Sequence, residues 1–252
     1  MIQSTASARF DAVDALRGFA MVWMTVFHLC FDLTQFGYLK QNFYNDPVWT
    51  WQRTLIVSLF LLCAGMGQAI AVAQGQRWPR FWRRWALVLG CALLVTAGSW
   101  LMYPKSFIYF GVLHGMALML IIARLTAHWG GWLWILGGLS IAIKYIAAYV
   151  MNTSGTVEFV DIFNSPALNW LGFITRKPIT EDYVPLLPWL GVMWWGVAAG
   201  NRLTSRRGGL GLAHLPVLLQ PLATLGRWSL SYYMLHQPVL IGVLMALAWW
   251  FQ

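Results

Sequence analysis

Long apolar runs separated by short polar segments dominate the chain, and seven of them are long enough to cross a membrane. They fall near residues 16–36, 54–73, 85–103, 107–124, 129–150, 185–201 and 228–250, each close to the roughly 20 mostly apolar residues that a spanning helix needs. Inside a bilayer the backbone of such a run can satisfy its polar groups only as a helix or in a closed barrel, and runs this long and continuous fit the helix. The pattern predicts an all-α polytopic membrane helix bundle with about seven transmembrane helices, a single domain over residues 1–252. The composition, 59% hydrophobic and 10% charged, excludes a soluble globular fold. The polar start, MIQSTASARFDAVDALRG, has no short apolar core followed by a small-residue cleavage site, so the first span is expected to stay in the mature protein.

Charge placement orients the bundle. With the N-terminus inside, the inner segments collect Arg9, Arg17, Arg77, Arg80, Arg83, Arg84, Arg124, Arg202, Arg206, Arg207 and Arg227, eleven of the seventeen basic residues. The positive-inside bias therefore predicts N-in, C-out. A net charge of +9 raises the question of nucleic acid, but the basic residues flank apolar spans rather than forming a soluble face, and no nucleic-acid partner is expected. The segment GRWPRFWRR mixes arginine with tryptophan as a headgroup-level anchor does. Residues 151–184 hold half of the acids and are too long for a turn; they form either a short interfacial segment or a disordered connector. The stretch NRLTSRRGGLGLAHLPVLLQPLATLG is expected to be an amphipathic or re-entrant piece on the inner face, with an eighth span as the alternative.

Ionisable groups within the spans are the candidate chemistry, because each costs several kcal/mol in the bilayer. In DAVDALRGFAMVWMTVFHLCFDLTQF, Asp11 or Asp14 can cap the helix, and Arg17 lies at its inner end. His28 follows roughly 16 Å farther along at 1.5 Å per residue. Asp32 stands one turn beyond His28 on the same face, where its carboxylate can orient the imidazole as a general base requires. His114 and His236 lie in later spans and can converge with His28 near one level. Ser229, Ser231, Tyr232 and Tyr233 give the last helix a polar half, and Pro238 can kink it around a cavity. His128 and His214 read as surface residues. Cys30, Cys63 and Cys91 lack metal-ligand spacing and read as small hydrophobes; no metal is expected.

Two motifs carry a resemblance. Asp14, Leu16, Arg17, Gly18 and His28 form D-x-L-R-G with an Arg-to-His spacing of ten intervening residues. Leu225, Gly226, Arg227, Ser229, Leu230, Tyr233, Leu235, His236, Gln237, Pro238 and Val239 form a late L-G-R-x-S-L-x-x-Y-x-L-H-Q-P-V segment. Together they resemble the transmembrane acyltransferase superfamily. Within it the chain is most similar to small bacterial proteins bearing a domain like the catalytic region of heparan-alpha-glucosaminide N-acetyltransferase, and is also similar to the acyltransferase-3 group. The resemblance implies a multi-pass enzyme of the cell inner (cytoplasmic) membrane that moves an acyl group, usually acetyl, from cytoplasmic acetyl-CoA or another acyl-CoA to a sugar or glycan acceptor outside. It casts His28 as base with Asp32 orienting it. His114, His236, Ser231 or Tyr233 would donate to the developing oxyanion or contact the donor, and Arg17, Arg84 and Arg227 would line the coenzyme A path and hold its phosphates. The role of His28 follows the acyltransferase-3 pattern, since the lysosomal members use a histidine on the far side of the first span. Asp32 is no part of the shared motif. Two other functions compete: a heme or metal protein with His28, His114 and His236 as axial ligands, and a transporter or flippase in which the same residues form a polar path, although no internal repeat supports the latter.

Overall fold

The computed structural model describes residues 10–154, 156–205 and 215–250. Among them the chain forms nine α-helices and no strand: α1 (Asp11–Gln35), α2 (Pro47–Ala73), α3 (Trp78–Met102), α4 (Val112–Thr126), α5 (Trp132–Ser154), α6 (Val157–Asn164), α7 (Leu186–Ser205), α8 (Gln220–Arg227) and α9 (Ser229–Trp250). Each of the seven apolar runs forms a helix. Six of the helices, α1 to α5 and α9, are long and apolar enough to cross a membrane. The remaining run, 185–201, forms α7, whose Pro188, tryptophans and polar end at Asn201, Arg202 and Thr204 set it apart from these six. Arg9, Arg206, Arg207 and His214 lie outside the described residues.

Contacts divide the chain into two compact units, one comprising Met1–Cys63 with Gly211–Gln252 and the other Ala64–Leu210. In the first, α1 packs along α8 and α9. The motif glycines explain how closely. A Cβ on Gly18 would run into the Leu222 carbonyl, and one on Gly226 into the Asp14 carbonyl, so α1 and α8 cross with their backbones touching, as small residues permit. The described part of the inner-face stretch is thus a 3-10 turn, Val217–Leu219, followed by α8 with a proline in its first turn, and it packs on α1. Below this crossing Ala20, Met21, Met24, Phe27, Phe43, Ile56 and Phe60 form a buried core. Phe43 stacks on Trp49 at 4.1 Å, and Phe27 meets both rings near edge-on.

In the second unit α5 and α7 cross at Gly137 and Gly191, each lying against the other's carbonyl. The basic-aromatic anchor is built around buried Arg124, which donates to the Gln76 carbonyl and lies over the Trp78 and Phe81 rings. The connection at 151–184 is ordered where described. It forms α6, and Asn164 accepts from the backbone of Thr175 and Arg176. Asn169, 1% exposed, donates to the Tyr109 hydroxyl at 2.6 Å and accepts from the Tyr183 hydroxyl at 2.6 Å. Burial pushes both phenols above their usual range, which keeps them protonated. Asp182 accepts the Val112 N–H at 2.6 Å and so supplies the start of α4 with a carboxylate, the charge its free N–H groups favour. Asp182→Ala is expected to lower stability by about 1 kcal/mol. The measurement is thermal unfolding in detergent with hydrogen exchange on Val112 to His114; unchanged exchange there would remove the capping role.

Candidate active site

The site lies in the first unit, where α1 and α9 bring His28 and His236 together with ring centroids 5.2 Å apart. His236 is buried and its Nδ1 is 2.7 Å from the Tyr233 carbonyl. A carbonyl only accepts, so Nδ1 carries the proton and Nε2 presents a lone pair in the neutral imidazole. That Nε2 is buried and has no hydrogen-bond partner among the described residues. The Tyr232 ring stacks on His236 at 6.2 Å and 8°. Its hydroxyl bonds Thr25 at 2.7 Å, and since Thr25 donates to the Met21 carbonyl, Tyr232 is the donor. Phe27 packs edge-on against His28 at 5.7 Å. His28 itself is partly exposed. The result is one imidazole with a fixed tautomer and a second, more open one beside it.

One turn beyond His28, Asp32 behaves differently from the expectation drawn from its spacing. It is 4% exposed, and its Oδ1 accepts from Gln237 Nε2 at 2.8 Å; the partner comes from α9 rather than from His28. Asp32 Oδ2 and Gln237 Oε1 are buried without partners among the described residues.

The late motif of α8 and α9 thus meets the early motif of α1 at both ends, at Gly18 and Gly226 and again at the histidines. Residues 9–238 match the family model described as heparan-alpha-glucosaminide N-acetyltransferase, catalytic. The chain belongs to this family. No curated protein and no solved structure matches it. The match spans both units, and it makes the chain a member of a family of membrane N-acetyltransferases.

In this family member the remaining candidate residues separate into several settings. Arg17 donates to Asp14 at 2.9 Å and to the Gly226 carbonyl at 3.3 Å, which ties α1 to α8. Arg227 pairs with Asp11 at 2.8 Å and lies 3.9 Å from Asp14. Two arginines and two aspartates therefore balance at this end of α1. Tyr233 contributes its carbonyl to His236 and its ring to the core. Ser231 lies on the exposed side of α9, and Arg84 is exposed on α3. His114 belongs to the second unit and is fully engaged there. Its Nδ1 accepts from the Gly111 N–H at 3.3 Å, so Nε2 carries the proton and donates to Thr96 at 3.0 Å, which in turn donates to the Ile108 carbonyl.

Sequence reasoning missed Gln237 and Thr25 as members of the site. Gln237 is adjacent to His236 in the late motif, and that adjacency was the available signal. Thr25 stands three positions before His28, the helical spacing that shares a face, but a threonine in a span ordinarily bonds its own helix, as Thr25 also does.

Proposed function

We propose that this protein is a membrane acetyltransferase that takes the acetyl group from acetyl-CoA on the cytoplasmic side and delivers it to a sugar or glycan acceptor on the outer side of the inner membrane. The observation that carries the proposal is the His28–His236 pair, with His236 held in one tautomer and its Nε2 without a hydrogen-bond partner among the described residues. His28, the more accessible ring, takes the proton from the acceptor hydroxyl or amine as that group attacks the thioester carbonyl. The imidazolium that forms on His28 is met by the lone pair of His236 Nε2. The new C–O or C–N bond forms, the C–S bond breaks, and the proton on His28 passes to the departing thiolate, leaving free coenzyme A. Family membership supports the donor and the transfer. The charge bias along the chain supports N-in, C-out, which places Arg227 and Arg17 at the cytoplasmic surface. Arg227, more exposed than Arg17, is the better placed to hold donor phosphates. Arg17 serves the α1–α8 junction first.

Proteoliposomes with labelled acetyl-CoA on one side and a glycan mixture on the other test this. Label is expected to reach the glycans only in vesicles whose cytoplasmic face meets the donor. Labelling that needs both substrates on one face would refute transmembrane delivery, and no labelling in either arrangement would refute the transferase.

A further inference from the structure

The start of α3 carries a basic stripe that no carboxylate of the second unit neutralises. Arg80, Arg83 and Arg84 are exposed and stand three and four residues apart on one helical face, where like charges repel. Every ion pair among the described residues involves Arg17 or Arg227. Two acids of the second unit, Glu181 and Asp182, are engaged beyond the C-terminus of α3, at Ser106 and at the start of α4. The length of α3 puts them roughly 30 Å from these arginines. Other arginines of this unit are settled on rings, Arg124 over Trp78 and Phe81 and Arg202 over Trp134.

The inward side of α3 is fixed by buried Phe81, by Trp85, which donates to the Ala117 carbonyl, and by Thr96, which bonds His114. Helical spacing places the arginine stripe on the opposite side, where it continues into Leu87, Gly90 and Leu94. Leu87 is 63% exposed and Leu94 64%. A Cβ added to Gly90 would meet nothing within 4 Å, so the surface dips between the two leucines. Arg84 to Leu94 covers roughly 15 Å of helix axis, the depth of one leaflet in a hydrocarbon core about 30 Å thick. Trp78 and Trp82, both exposed and with rings 6.0 Å apart, flank the arginines, as tryptophans do at headgroup level.

We propose that this face of α3 is a binding seat for one anionic phospholipid, its phosphate on Arg80, Arg83 and Arg84 and an acyl chain over Gly90 between Leu87 and Leu94. Guanidinium groups hold phosphate through charge-assisted, often bidentate bonds, and a shared anion relieves their mutual repulsion. Coenzyme A also carries phosphates, but an apolar face running straight on from the arginines matches a fatty acyl chain, whereas coenzyme A continues into a polar pantetheine arm. Arg84 is thereby assigned to a lipid and not to the acyl donor. The seat differs from an orientation anchor, which responds to the charge of the whole membrane and retains no particular lipid. It does not depend on the acetyltransferase function.

The test uses the purified full chain in detergent with dioleoyl phosphatidylglycerol or dioleoyl phosphatidylcholine, reading retained lipid by native mass spectrometry and protection by thermal unfolding. One phosphatidylglycerol is expected to stay bound, with an affinity roughly 100-fold above that of phosphatidylcholine, the size of three arginines acting on an anionic headgroup. Equal retention of the two lipids would overturn the seat. The variant Arg80→Gln/Arg83→Gln/Arg84→Gln is expected to lose the preference, and the corresponding lysine variant to keep part of it; a preference that survives the glutamines would place the lipid elsewhere and overturn the assignment.

Gly90→Leu fills the dip without meeting a neighbour and is expected to weaken retention of phosphatidylglycerol while leaving its preference over phosphatidylcholine. Unchanged retention would refute a seat that joins headgroup and chain. A measurement on the wild-type protein alone needs no variant to fold: salt raised to about 1 M, where the screening length falls to about 3 Å, should reduce the preference, and an insensitive preference would exclude the arginines as its source. Excess coenzyme A is expected to leave the bound lipid in place. Its displacement by coenzyme A would return the stripe to the donor and overturn the proposal.

Discussion

Replacing His28 by alanine is expected to lower kcat for acetyl transfer by about 10²–10⁴-fold, the range that removal of a positioned general base produces. The ring is partly exposed and is no member of the buried core cluster of Ala20, Met21, Met24, Phe27, Phe43, Ile56 and Phe60. The KM for acetyl-CoA and the thermal unfolding temperature should therefore stay close to those of the wild-type protein. His236→Phe keeps a ring against Tyr232 and removes the Nε2 lone pair. It is expected to lower kcat by roughly 10–100-fold, as loss of a partner within a polar network does, and to alter the shape of the pH profile, which a loss of packing alone would not do. The double variant should be no slower than His28→Ala, because residues that act as a unit are not additive. Stopped assays with labelled acetyl-CoA on the three variants decide the matter. A His28→Ala protein that keeps more than a tenth of the activity would exclude His28 as the base, and strictly multiplicative losses would separate the two histidines.

The second large effect concerns the fold. Gly226→Val places branched carbons where the Asp14 carbonyl lies, and a backbone atom cannot swing aside as a long side chain can. The α1–α8 crossing must open, which also lengthens the bond from Arg17 to the Gly226 carbonyl. The expected cost is about 1–3 kcal/mol or more, read as a fall in the unfolding midpoint in detergent and in the yield of monodisperse protein. Gly242 on α9 has nothing within 4 Å of an added Cβ, and Gly242→Ala should be neutral or slightly stabilising. Equal effects at the two positions would show that the close crossing contributes nothing particular.

The helices were legible because an apolar run of spanning length has few other structures open to it, and all seven predicted runs form them. Their partners were less so. The spacing of His28 and Asp32 correctly puts both on one face of α1, but spacing within a helix is silent about which side chain a second helix inserts. Here α9 inserts Gln237. His114 illustrates the same gap: an imidazole three residues after Gly111 is equally suited to a site and to the helix start, and only the positions of Thr96 and the Gly111 N–H decide that both its nitrogens are engaged locally. The motif glycines were visible as residues of a pattern. Their purpose, a backbone contact between segments two hundred positions apart, depends on three-dimensional proximity that no local window contains.

That separation bears on how the protein is made. The second unit is continuous in sequence, whereas the first joins the opening residues to the closing ones. At roughly 5–20 residues per second of synthesis, α1 waits on the order of 10–40 s before α8 emerges. Throughout that interval Asp11, Asp14 and Arg17 lack Arg227 and the Gly226 carbonyl, and the groove at Gly18 is unfilled. α8 and α9 are therefore the latch of α1: until they are made, Asp11 lacks Arg227 and the close contact at Gly18 has no Leu222 carbonyl to fill it.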